Sequence, residues 1–145
     1  MKKKCICDQL SIMAKFIFML RNIDKINRYD SLNTHEMKTL LMLRRFPGSS
    51  MSFCSDYLML ENGSFTYIAK KLQETEYVLI DQNPNDKRSR IIELTEKGRT
   101  AAKLIEEQVI EQIKNTLSIL TETEQKKLFD SFDYIEYVYD KIANN

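Results

Sequence analysis

Two short runs, YVLIDQ (77–82) and RIIEL (90–94), stand out in a chain whose other apolar residues recur at helical spacing. Rich in β-branched and aromatic residues and too short for helices, they read as two strands. The stretch NPNDKRSR (83–90) joins them with three cations and one carboxylate at the tip of a β-hairpin. Pro84 has no N–H to give to a ladder, so the loop is expected to begin there.

Around the hairpin the pattern is helical. From Asp8 to about Arg28, Leu10, Met13, Ile17, Leu20 and Ile23 recur at helical spacing, and Ile12, Phe16, Phe18 and Met19 broaden the stripe. A helix apolar almost all round is buried on several sides, which in so short a chain points to a partner subunit. Asn33 with Glu36 three residues on gives a capping-box start to NTHEMKTLLMLRRF, which Pro47-Gly48 stop. SFCSDYLML reads as a short helix, and ENGSFTYIAKKLQETE as a second one after a tight turn. In the second, Phe65, Ile68, Ala69 and Leu72 share one face, while Ser64, Thr66, Tyr67, Lys70 and Lys71 fall largely on the other. Thr95 caps a long helix with Glu96 in its first turn, and Thr121 with Glu124 opens the last helix.

The expected fold class is therefore mainly α with a small β-hairpin wing (α+β). Residues 33–95 read as a self-contained lobe, and residues 1–32 together with 96–145 as a helical region. The outer helices carry more apolar surface than that lobe can cover. Burial against a second copy is the expectation, since two-fold homodimers are the commonest oligomers.

Composition narrows the class. A chain of 145 residues suits one domain or a small module with helical extensions, and 43% hydrophobic with 30% charged residues is a globular composition. The net charge of +1 conceals polarity: residues 1–45 hold ten Lys/Arg against four Asp/Glu, and residues 122–145 hold three against six. The opening MKKKCICDQLSIMAKFIFML has signal-peptide features, but Asp8, Gln9 and Lys15 interrupt its apolar stretch and no small-residue cleavage site follows. No run reaches the roughly 18 apolar residues that span a bilayer. Cys5, Cys7 and Cys54 lack metal-ligand spacing and suit reduced thiols in a cytoplasm. His35 has no clustered partners, and neither a phosphate loop nor a nucleophile–base arrangement is visible, so no metal, cofactor or enzymatic activity is expected.

A helix anchored by its apolar face with small polar residues outward can lie in a major groove, where Ser, Thr, Asn and Tyr meet base edges or phosphates. A thin basic loop reaches the adjacent minor groove or backbone. The two elements suit one ligand, duplex DNA. Taken singly, Lys70-Lys71 reads better as an ordinary solvated face, and Tyr67 equally well as a packing residue.

The run NGSFTYIAKKLQETEYVLIDQNPNDKRSRIIELTEKG closely resembles the winged-helix regulators of the multiple antibiotic resistance regulator (MarR) family. The shared parts are Lys71-Leu72, Tyr77-Val78, the wing Asp86-Lys87-Arg88, and Leu94-Thr95-Glu96-Lys97-Gly98, over about residues 60–98. The resemblance implies a homodimeric, cytoplasmic DNA-binding regulator, by default a repressor, on a pseudo-palindromic operator, answering a small-molecule or redox signal. It implies that Asn62, Ser64, Thr66, Tyr67 and Lys70 face the major groove and that Ser52 lies near the phosphates. Arg88 would enter the minor groove, oriented by Asp86, with Lys87 and Arg90 on the backbone. The family commonly has Gly after the recognition helix, whereas this chain has Glu76, which implies a left-handed residue or a different turn. Cys54 falls at an apolar core position and reads as a buried, inert thiol. Cys5 and Cys7 are the redox-sensing candidates, since some members sense oxidants through a cysteine of the first helix and Lys2, Lys3 and Lys4 favour a thiolate. The rival reading is a winged-helix protein–protein interaction module that does not bind DNA.

Overall fold

The structure, a computed structural model, describes residues 6–20, 26 and 28–144. Cys5 lies outside them, as does much of residues 21–27, where the first helix was expected to continue. The elements in order are α1 (Ile6–Leu20), α2 (Thr34–Arg45), β1 (Ser49–Ser50), α3 (Met51–Tyr57), α4 (Asn62–Glu74), β2 (Val78–Asn83), β3 (Asp86–Leu94), α5 (Glu96–Leu117) and α6 (Glu122–Ala143). They form two compact units, Met1–Ile110 and Glu111–Asn145, divided within α5.

In the first unit, α2 starts as its sequence dictates. The Asn33 side chain accepts from Glu36 N, and the Glu36 carboxylate accepts from Asn33 N, closing the capping box. Leu40 and Leu43 of α2, Phe65, Ile68, Ala69 and Leu72 of α4, Tyr77, Val78 and Ile92 of the hairpin, and Ala101, Ala102 and Ile105 of α5 form one buried cluster. The apolar face read from the sequence of α4 is thus its buried face. Cys54 is also in this core, and burial pushes its thiol up to about 12.

The sheet differs from the expected hairpin in two ways. It has a third strand, β1, pairing antiparallel with β3 through Ser49↔Ile92 and Ser50↔Ile91, which gives the order β1-β3-β2. Two serines carry no periodic signal, and their extended state comes from that distant pairing. The loop begins at Pro84 as expected, but the second strand starts at Asp86 rather than at Arg90, so the ladder runs out to Asn83↔Asp86 and leaves only Pro84 and Asn85 in the turn. Between Gln82↔Arg90 and Asn83↔Asp86 the register shifts, so Lys87, Arg88 and Ser89 face no β2 residue in the ladder register.

In the second unit, Thr121 and Glu124 form the capping box that opens α6, and Gln125 Nε2 donates to the Leu117 and Leu120 carbonyls. Not one residue of α6 is buried: Phe129, Tyr134, Ile135, Tyr137, Tyr139 and Ile142 are all exposed. On α1, Leu10, Ile12, Met13, Ile17 and Phe18 are exposed as well, as is Cys7. No helix among the described residues is long and apolar enough to cross a membrane.

Candidate nucleic-acid interface

The site is built from α3, α4 and the hairpin. Ser50 caps α3 by accepting from Phe53 N. At its far end α3 closes with Met59 in the left-handed region (φ 54°), Met59 N donating to Asp56 O and Leu60 N to Ser55 O. This paired closure turns the chain into α4 within four residues.

The end of α4 uses the same device. Glu76 has φ 62°, Glu76 N donates to Gln73 O, and Tyr77 N donates to Leu72 O. Of the two alternatives the missing glycine left open, the left-handed residue is the one present, and α4 ends at Glu74, two residues before it. A side chain in this region costs about 1 kcal/mol. Glu76→Gly is expected to raise unfolding stability by roughly that amount, read as a higher urea midpoint at unchanged slope. An unchanged or lower midpoint contradicts the strain.

The segment Thr95-Glu96-Lys97-Gly98 grips this turn. Thr95 N donates to Tyr77 O (3.1 Å), and Thr95 Oγ1 lies 2.7 Å from Glu76 O and 3.1 Å from Tyr77 O. Lys97 Nζ donates to Thr75 O and sits 4.3 Å from the centre of the Tyr77 ring. Gly98 N donates back to Thr95 Oγ1 (3.0 Å), capping α5. Gly98 is the point of closest approach, since a β-carbon there would lie 2.0 Å from Tyr77 O. The Tyr77 hydroxyl donates to Asp30 Oδ2 (2.8 Å), and burial followed by that carboxylate raises its pKa to about 12.

Lys71 does not join the outward polar face suggested by the sequence pattern. Its ammonium lies 2.6 Å from Oε1 of Glu36, a buried carboxylate that also accepts from Asn33 N and Nδ2. The hydrogen bond and charge of Glu36 hold Lys71 above the ordinary lysine pKa. The pair therefore fastens the back of α4 to the start of α2.

Asn62, Ser64, Thr66, Tyr67 and Lys70 are exposed along α4, with Tyr67 72% accessible. Ser52, Asn62 and Thr66 share a recess of about 350 Å³ with Arg88 and Arg90 of the wing, which Met51 and Phe65 also line. Half of the ten expected contact residues thus converge on one concavity. Ser64, Tyr67, Lys70, Asp86 and Lys87 are not among its lining residues; Lys87 lines a second recess with Asp81 and Gln82, to which Arg88 and Arg90 also contribute.

The wing tip is held by its own side chains. Asn83 Oδ1 accepts from Asn85 N, Asn83 Nδ2 donates to Ser89 Oγ, and Gln82 Nε2 donates to Lys87 O. Asp86 Oδ1 accepts from Arg88 N (2.9 Å), so it fixes the main chain of Arg88. Bulges of this kind re-aim side chains, and here the bulge carries Lys87 and Arg88. Lys70, Lys87, Arg88 and Arg90 form no ion pair among the described residues, whereas Arg44, Lys71, Arg99 and Lys126 each do. Gln82, Asn83 and Ser89 were not singled out in the sequence, although the density of Asn, Asp and Ser in this stretch signals side-chain-to-backbone bonding.

No protein-family model matches the chain. The HTH-type transcriptional regulator MhqR of Bacillus subtilis is 28% identical over 104 residues, which is 70% of this chain and 72% of MhqR. Wild-type MarR from E. coli in its apo form superposes with a TM-score of 0.66 at 19% identity, covering 98% of each chain. FabT of Streptococcus pneumoniae, solved in complex with DNA, gives 0.64 at 18% identity over 94% of this chain and 96% of its own. The sequence relative and these folds agree with the motifs at residues 60–98: this chain has the winged-helix fold of the MarR-type transcriptional regulators.

Proposed function

We propose that the protein is a cytoplasmic, homodimeric transcriptional regulator, by default a repressor, that binds a pseudo-palindromic DNA operator. The observation that carries this reading is the recess that sets Ser52, Asn62 and Thr66 beside Arg88 and Arg90. A polar helix face and unpaired cations bordering one concavity match a duplex, with base edges for the first and phosphates or minor groove for the second. The complex of FabT with DNA supports the same use of this fold.

Residues 33–95 are the DNA-binding lobe in this reading, and residues 1–32 with 96–145 the dimerisation region. The exposed apolar residues of α1 and α6 support a second copy as their cover. A small molecule, or oxidation at Cys7, regulates binding only insofar as it favours one spacing of the two lobes over another.

The test is enrichment of bound fragments from genomic DNA, followed by affinity measurements at two salt concentrations and sedimentation of the free protein. The expected outcome is a roughly palindromic sequence, steep weakening with salt, and a mass of twice 17.1 kDa. A chain that enriches no sequence and shows no salt-dependent binding contradicts the proposal and favours a protein-interaction module.

A further inference from the structure

Ser55 is fully buried, yet it carries a hydroxyl that the fold puts to a particular use. Its Oγ has one proton to give and two oxygens within reach, Asn62 Oδ1 on the first residue of α4 at 2.7 Å and Ser52 O within α3 at 2.8 Å, and the shorter contact is the one that takes it. Asn62 is exposed and lines the recess with Ser52, Thr66, Arg88 and Arg90. Its main-chain carbonyl accepts from Thr66 Oγ1 (2.8 Å), so both oxygens of Asn62 are engaged inside the protein. The two N–H groups of its carboxamide are the edge left over, with no partner among the described residues.

We propose that Ser55 is a positioning residue for DNA recognition: it holds the Asn62 carboxamide with its oxygen inward, so that the residue presents donors only to the duplex. The inference rests on the DNA-binding reading above. A side-chain amide free to rotate offers one donor and one acceptor together, the pattern that pairs with adenine N6 and N7. With its oxygen held by Ser55, Asn62 meets an acceptor: N7 or O6 of a purine, or a phosphate oxygen. Fixing the orientation before binding also removes the cost of ordering the side chain in the complex.

A double-mutant cycle on the enriched duplex tests this, using full-length wild type, Ser55→Ala, Asn62→Ala and the double variant. Ser55→Ala is expected to weaken binding about fivefold when Asn62 is present and by less than twofold in the Asn62→Ala background. Ser55→Cys, close in shape and a weak donor, is expected to reproduce that coupling, which separates it from a packing defect. Repeating the enrichment with Asn62→Ala distinguishes the two acceptors. Relaxed preference at one base pair per half-site marks a purine edge, and a uniform loss over unchanged sequences marks a phosphate.

Equal losses from Ser55→Ala in both backgrounds, or no loss in either, overturn the positioning role while leaving DNA binding intact. A wild-type protein that enriches no sequence removes the DNA reading and this inference with it.

Discussion

Gly98→Ala is expected to destabilise the protein by about 3 kcal/mol or more, although alanine is the better helix former by about 1 kcal/mol. The added β-carbon would lie 2.0 Å from the Tyr77 carbonyl oxygen, 3.1 Å from its carbonyl carbon and 3.2 Å from a Leu94 methyl. Two of those three atoms are backbone and cannot swing aside. Relief requires the start of α5 to move away from the turn after α4. That movement stretches the bonds from Thr95 N and Oγ1 to Tyr77 O and from Lys97 Nζ to Thr75 O. It also disturbs the core cluster to which Ala101 and Tyr77 both belong, each fully or almost fully buried.

Gly63→Ala supplies the control. Gly63 is also helical, but a β-carbon there meets nothing within 4 Å. That substitution is expected to be neutral or to stabilise by a few tenths of a kcal/mol. Urea denaturation of the two variants beside wild type reads both signs at once. Gly98→Ala matching wild type would remove the close-approach argument.

Arg88→Ala is expected to weaken operator binding roughly hundredfold in the proposed dimer, about tenfold for each wing. The guanidinium makes no ion pair among the described residues, and its main chain is pinned at 2.9 Å to Asp86 on the bulge. Removing two such cations lowers the slope of log affinity against log salt by about 2. Arg88→Lys keeps the charge and should keep the slope, while losing affinity where the planar group fits a narrow groove. Binding by Arg88→Ala that equals wild type in strength and slope rules out the wing contact.

Legibility in the sequence followed the range of the interactions involved. Both capping boxes are four-residue patterns, so Asn33 with Glu36 and Thr121 with Glu124 were readable without any tertiary information. The buried face of α4 was readable because Phe65, Ile68, Ala69 and Leu72 follow the helical period. Glu76 was readable only by contrast with a family pattern, since nothing in its neighbours demands a positive φ. The strand at Ser49–Ser50 was not legible, because its partners Ile91 and Ile92 are some forty residues away. Lys71 was misleading for a similar reason. Its spacing places it near the helix boundary between faces, and only the buried Glu36 of another helix draws it inward. The pairing of Ser55 with Asn62 bridges two helices whose relative placement depends on the whole lobe, so local periodicity is silent about it.

The grip of Thr95, Lys97 and Gly98 on the turn after α4 has one property with a bearing on how such a protein changes partners. Its hydrogen bonds to that turn end on the carbonyls of Thr75, Glu76 and Tyr77, and its tightest contact is with the last of these. Main-chain oxygens are the same whatever side chains stand on the helix before them. Outward residues of α4 that make no bond into the lobe, such as Ser64, Tyr67 and Lys70, can therefore be exchanged while this grip on the end of the helix stays the same. A transplanted face would need to keep Phe65, Ile68, Ala69 and Leu72 below it, and Lys71 for the buried Glu36. The part that seats the helix is thus separate from the face it presents, and in the proposed regulator that would let operator preference change without rebuilding the fold.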